Sequence, residues 1–224
     1  MKKNQCINCA ECGFAELCSA YLFHQPDSLF IRHLETKRKI PRGEYISRQG
    51  ENVHAIYALR SGIAKVYNAQ EQLLSIVLPG QIIGVEDLHS GRYLHDIKAS
   101  TETEVCVLNS EHFYEMSQLL TGFTDYIVRV LSRSAQEKQQ LISVLTKSDA
   151  LLKVHSFLQL LSAFYKEYGF EYRNIELPVS KKELAQLLGI SISTLSRCLE
   201  KLCEQNIVAI ENKKEITLLA TTQS

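Results

Sequence analysis

Three cysteines, Cys9, Cys12 and Cys18, crowd the start of this chain at C-x2-C-x5-C, while a fourth, Cys106, lies in a strand-like run far downstream. If the four act together, the fold must carry residue 106 back to the leader. Thiolates at that spacing suggest a folded-over metal site, and they select zinc, copper(I) or iron–sulfur clusters. Cys6, separated from Cys9 by a two-residue gap, is a spare thiol that could compete as a ligand.

The context fits metal binding or redox chemistry better than a disulfide framework. The first residues, Met-Lys-Lys-Asn-Gln-Cys, lack the apolar core of a signal peptide, and apolar runs such as Leu73–Leu78 fall far short of a membrane span. A cytoplasmic protein without membrane association is expected, and in that reducing compartment cysteines stay free. Lys plus Arg and Asp plus Glu are both 25, so any nucleic-acid binding must come from local patches. With 224 residues and 45% hydrophobic content, two domains are expected.

The pattern changes twice along the chain. From Ile40 to Leu108, short β-branched runs are broken by Pro41-x-Gly43, Gln49-Gly50, Ser61-Gly62, Pro79-Gly80 and Ser90-Gly91, which reads as an all-β roll. Strands are expected at Ala55–Leu59, Ile63–Tyr67, Ser75–Leu78 and Glu104–Leu108. From about Ser110 to Lys147 no proline occurs and a single glycine, Gly122, so one long helix is expected. Val128, Leu131, Ala135, Lys138, Ile142 and Leu145 recur at steps of three and four, the spacing of a coiled-coil seam. In a parallel dimer Lys138 would face its mate, leaving the seam weak in the middle. The other reading is a single amphipathic helix packed on the roll.

Beyond Asp149 the helices shorten. Leu151–Tyr168 is closed by Gly169, Ile175–Leu177 makes a small strand, and Ser180-Lys-Lys-Glu183 spells a capping box that opens a helix to about Leu188. Gly189 supplies the turn, Ser191 caps, and Ile192–Gln205 follows with Leu195, Leu199 and Leu202 inward. Strands at Ile207–Ile210 and Ile216–Leu219 complete a winged helix-turn-helix. Its second helix turns Ser193, Thr194, Ser196, Arg197 and Lys201 outward. Arg197 can fork onto guanine O6 and N7, the hydroxyls can meet phosphate or thymine, and Lys213 and Lys214 at the wing tip suit phosphates. The fold expected is therefore α+β: a β-roll sensor domain of jelly-roll type, a long dimerisation helix and a C-terminal winged helix-turn-helix. The boundaries fall at 1–24 for the cysteine-rich leader, 25–109 for the roll, 110–147 for the dimerisation helix and 148–224 for the DNA-binding domain.

This order of parts resembles the cyclic-AMP receptor protein family, and more narrowly its fumarate and nitrate reductase regulator (FNR) branch. The residues that carry the resemblance are Cys9-x2-Cys12-x5-Cys18, Ala58-Leu59-Arg60-Ser61-Gly62, Leu78-Pro79-Gly80, Thr101 to Cys106, Leu188-Gly189-Ile190 and Thr194-Leu195-Ser196-Arg197. The resemblance implies that Cys9, Cys12, Cys18 and Cys106 hold an oxygen-labile [4Fe-4S] cluster. It further implies a homodimer that binds palindromic double-stranded DNA while the cluster is intact and contacts RNA polymerase. Nitric oxide would attack the same chemistry.

The chain departs from that branch at several places. Ser193 stands where relatives typically carry a glutamate that reads cytosine, Lys138 reverses the sign of a common acidic residue, and the hairpin from Lys65 to Leu78 is a few residues shorter. A cyclic nucleotide is disfavoured. Gly84 is followed by Val85, and His95-Asp96 stand where nucleotide-binding relatives place an arginine, so a buried cyclic phosphate would lack its cation. Two other functions remain open: a regulator with structural zinc or thiol-redox sensing on the same fold, and an electron-transfer protein that does not bind DNA. An enzyme is not expected, since the chain has no Gly-rich phosphate loop, nucleophile elbow or acid/base constellation.

Overall fold

The computed structural model describes residues 37–112, 118, 122–211 and 215–219. The chain divides into two compact units at Gln136/Glu137.

Among the described residues the first unit has eight antiparallel strands: β1 (Lys37–Ile40), β2 (Tyr45–Ser47), β3 (Ala55–Ser61), β4 (Ala64–Tyr67), β5 (Leu73–Val77), β6 (Ile82–Ile83), β7 (Asp96–Ala99) and β8 (Thr103–Asn109). They form two four-stranded sheets, ordered β1-β8-β3-β6 and β2-β7-β4-β5. Ile40, Tyr57, Leu59, Ile83 and Val105 from one sheet meet Ile46, Ala64, Val77, Ile97 and Ala99 from the other in a single core. Because side chains alternate along a strand, the partners of these residues on β3 and β8 point the opposite way. There Ile56, Ala58 and Leu108 form a second apolar cluster with Val85 and with Phe123, Tyr126 and Val130 of α1 (Phe123–Leu145). β3 is therefore buried on both faces, which explains its near-continuous apolar sequence, Ala-Ile-Tyr-Ala-Leu.

Tight turns set the register. Gly62 has φ +86°, and a Cβ at that position would stand 2.5 Å from the Glu102 carbonyl oxygen. In the β4–β5 hairpin, the Asn68 carboxamide oxygen accepts from the Gln70 and Gln72 N–H groups at 3.0 and 2.9 Å, an Asx turn that fixes a short loop.

The helix expected over 110–147 is not continuous, although Gln118 within that stretch is helical. Ser110–His112 is a 3-10 turn, and Gly122, at φ +89°, interrupts any helix running up to it, so α1 starts at Phe123 and ends at Leu145. A left-handed residue inside the segment breaks the ladder of i to i−4 hydrogen bonds that a continuous helix needs.

The second unit contains α2 (Ala150–Glu167), β9 (Asn174–Glu176), α3 (Lys181–Leu188), α4 (Ile192–Glu204), β10 (Val208–Ile210) and β11 (Glu215–Leu218), with sheet order β10-β11-β9. Asp149 caps α2 by accepting the Leu152 N–H at 2.7 Å. At the far end Gly169 donates to Lys166 O and Phe170 to Tyr165 O, and the Tyr165 and Phe170 rings meet edge to face, which is a Schellman closure with its apolar contact. α3 opens on the capping box read from the sequence. Ser180 N–H donates to Glu183 Oε2 at 2.8 Å and Glu183 N–H to Ser180 Oγ at 3.3 Å. Gly189 at φ +65° ends it. Leu184, Ala185, Leu188, Leu195, Cys198, Leu199 and Leu202 are buried where α2, α3 and α4 pack.

Candidate nucleic-acid interface and metal ligands

The turn between α3 and α4 positions the residues expected to read DNA. Ser191 caps α4, accepting the Thr194 N–H at 3.0 Å, and its Oγ stands 2.8 Å from both Ser193 Oγ and Thr194 Oγ1. With Leu195, Cys198, Leu199 and Leu202 turned inward, Ser193, Arg197 and Lys201 are exposed and Thr194 and Ser196 half-buried. A guanidinium and an ammonium one turn apart, flanked by hydroxyls, offer fork geometry for a base edge and point charge for a phosphate. Lys213 and Lys214, expected at the wing tip, lie outside the described residues, though β10 and β11 that would carry them pair from Val208↔Leu218 to Ile210↔Ile216.

Sequence reasoning passed over one residue here. Ile192, the first residue of α4, is 49% exposed beside the hydroxyls, and its signal was an apolar residue off the inward stripe of Leu195, Leu199 and Leu202.

Among the expected metal ligands only Cys106 is described; Cys9, Cys12 and Cys18 lie outside. Cys106 sits mid-strand on β8, paired with Lys37 of β1 on one side and Ala58 of β3 on the other. Its thiol is partly exposed and outside any disulfide among the described residues, and it packs with Ile82, Leu88 and Ile127 against the cluster that contains Phe123, Tyr126 and Val130. Among the described residues no three His, Cys, Asp or Glu side chains converge, so any metal held by Cys106 takes its other ligands from elsewhere in the chain. A soft thiol on a rigid strand, bordered by apolar groups, suits the thiolate-only donor set of an iron–sulfur cluster.

The six seam residues lie on one side of α1. Val128, Leu131 and Ile142 are 55%, 40% and 56% exposed, Ala135 and Lys138 are also exposed, and Leu145 is half-buried. The stripe that seats the helix on the sheet is a different one: Phe123, Tyr126 and Val130, lying roughly 120° around the axis from the seam at 100° per residue. Packing on the roll and a free apolar seam, alternatives in the sequence, thus coexist on one helix.

A β-roll, a long helix and a winged helix-turn-helix with a polar, cationic reading face define a DNA-binding transcription regulator. Residues 37–119 match the cyclic nucleotide-binding domain and residues 153–223 the Crp-like helix-turn-helix domain. Curated relatives include the transcriptional activator protein Anr of Pseudomonas protegens, 27% identical over 92% of this chain and 87% of its own. Another is the fumarate and nitrate reduction regulatory protein of Shigella dysenteriae, 25% identical over 92% of this chain and 85% of its own. The fold is that of FixK2 from Bradyrhizobium japonicum, with TM-score 0.72 and 18% identity over 83% of this chain and 92% of that one. The chain belongs to the Crp/FNR family, on its FNR branch. Its relatives are transcription regulators rather than enzymes, and this chain is likewise not an enzyme. Among the described residues no helix is long and apolar enough to cross a membrane.

Proposed function

We propose that this regulator senses oxygen through a [4Fe-4S] cluster on Cys9, Cys12, Cys18 and Cys106, and that it binds palindromic promoter DNA as a homodimer while the cluster is intact. The observation that carries the reading is the position of Cys106, whose side chain lies among the apolar residues that seat the start of α1. When bound, the cluster supplies a centre that oxygen degrades. Cys106 provides a fixed anchor on a strand paired on both sides, and Phe123, Tyr126 and Val130 tie the start of the helix to the same cluster of side chains. Val128, Leu131 and Ile142 hold the seam ready for a second copy, while Lys138 opposes its mate and keeps association marginal. Converting such a pair from mostly monomer to mostly dimer takes about 5 kcal/mol, within reach of ordering a leader on four metal–thiolate bonds.

In the DNA-bound state Arg197 forks onto a guanine, Ser193, Thr194 and Ser196 supply hydroxyls, and Lys201, Lys213 and Lys214 neutralise phosphates. The domain roles follow: a ligand-bearing leader over 1–24, a sensor roll over 25–109, a dimer helix within 110–147 and a DNA-binding domain over 148–224. Activation proceeds by contact with RNA polymerase. A cyclic nucleotide has no part in this scheme, because Val85 and Tyr93 are buried in core packing and Asp96 accepts the Gln49 N–H at 2.9 Å where a phosphate would require a cation.

The test is the visible spectrum, iron and sulfide content and sedimentation of protein prepared without oxygen, followed as air is admitted. A brown protein that bleaches while its dimer dissociates is expected. A colourless protein containing zinc would overturn the oxygen switch and make the four thiolates a structural clip.

A further inference from the structure

The first turn of α4 presents an exposed apolar side chain at the leading end of the helix. Ile192 is 49% exposed, whereas Leu195, Cys198, Leu199 and Leu202 on the same helix are buried. Its polar neighbour is already engaged. Ser193 Oγ stands 2.8 Å from Ser191 Oγ, which lies equally close to Thr194 Oγ1 and accepts the Thr194 N–H, so the three hydroxyls of this turn share their protons with one another. Ser193 keeps acceptor capacity for a nearby group, but it is too short to span to a cytosine amino group. A groove that receives this turn therefore meets a bare β-branched hydrocarbon at its leading end.

Among major-groove base edges the C5-methyl of thymine is the one apolar feature. We infer that Ile192 is a specificity-determining residue that packs on the methyl group of a thymine in each half-site. Selection at that base pair is by apolar contact rather than by a hydrogen bond from residue 193. The inference rests on α4 being the DNA-reading helix.

Randomised duplexes selected with the full anaerobic chain give the operator. Each thymine of a half-site is then replaced by deoxyuridine, which lacks only the methyl, and binding is read by fluorescence anisotropy. One position is expected to weaken binding roughly fourfold per half-site, the transfer free energy of a single methyl. That penalty vanishes in Ile192→Ala and persists in Ile192→Val, while penalties at other thymines are the same in all three proteins. Unchanged thermal melting of Ile192→Ala shows that the exposed side chain acts on DNA rather than on the fold. Equal deoxyuridine penalties in wild type and Ile192→Ala, or none at any thymine, overturn the inference. Failure of the wild type to enrich any sequence would overturn the reading role of α4 itself.

Discussion

Cys106 on β8 lies directly opposite Ala58 on β3, and both side chains border the apolar cluster that holds Phe123 and Tyr126 of α1. The thiol thus has a packing role as well as the ligand role proposed for it, and the two can be separated. Cys106→Val fills nearly the same volume with a residue suited to strands. Its melting temperature should stay within a few degrees of wild type, while iron content and anaerobic operator binding, measured by metal analysis and gel shift, should both fall to background. A Cys106→Val protein that still bound its operator tightly in the absence of oxygen would sink the cluster switch.

The Gly62 turn admits no side chain. With φ at +86° and the Glu102 carbonyl and Thr103 Oγ1 2.5 and 2.6 Å from a Cβ, Gly62→Ala combines backbone strain with a clash against the neighbouring backbone. The expected loss is about 2–4 kcal/mol of stability, measured by urea unfolding.

Removing the charge from the seam should fix the regulator in its associated form. Lys138→Leu replaces an exposed cation, expected to face its mate, with a side chain that the seam can bury, and should tighten the dimer at least tenfold, on the order of 1.5 kcal/mol. Sedimentation equilibrium in air should then find dimer where wild type is monomeric. Ile142→Asp should do the reverse, giving a monomer even without oxygen.

On the reading helix, Arg197→Ala should cost roughly 1–3 kcal/mol of discrimination at one base pair per half-site. An unaltered base preference in a randomised-site selection would remove Arg197 from the reading face.

The capping box offers a test confined to the fold. Ser180→Ala removes the oxygen that accepts the Glu183 N–H and should lower stability by about 1 kcal/mol by thermal melting.

The parts of this molecule that local chemistry dictates were legible in its sequence. The Ser180–Glu183 box, the Gly169 and Gly189 helix ends and the inward Leu195, Leu199 and Leu202 all appear as read, because a cap or a 3.6-residue period is written within a few residues. Strand existence followed equally well at β3, β4, β5 and β8. The strands β1, β2, β6 and β7 were not singled out, since Lys37–Ile40 or Asp96–Ala99 gain their strand character from partners distant in sequence. The break at Gly122 just before α1 was signalled by that glycine alone, and glycine does not announce which hand its φ will take. At the candidate sites, exposure of Ser193, Arg197 and Lys201 follows from helical period alone. That Cys106 borders the cluster containing Tyr126 required the tertiary fold, and so did the mutual engagement of the Ser191, Ser193 and Thr194 hydroxyls, which depends on side-chain rotamers.

The two stripes of α1 have a consequence for how such a regulator can change over time. Because Phe123, Tyr126 and Val130 occupy one side of the helix and Val128, Leu131 and Ile142 another, a substitution can alter one set without touching the other. Under the proposed switch, the protein level at which the molecule pairs and the seating of the helix on its sheet can each be adjusted in single steps. A lineage could move such a protein to a scarcer or more abundant niche, or to a different threshold of its signal, without redesigning the rod that joins the two.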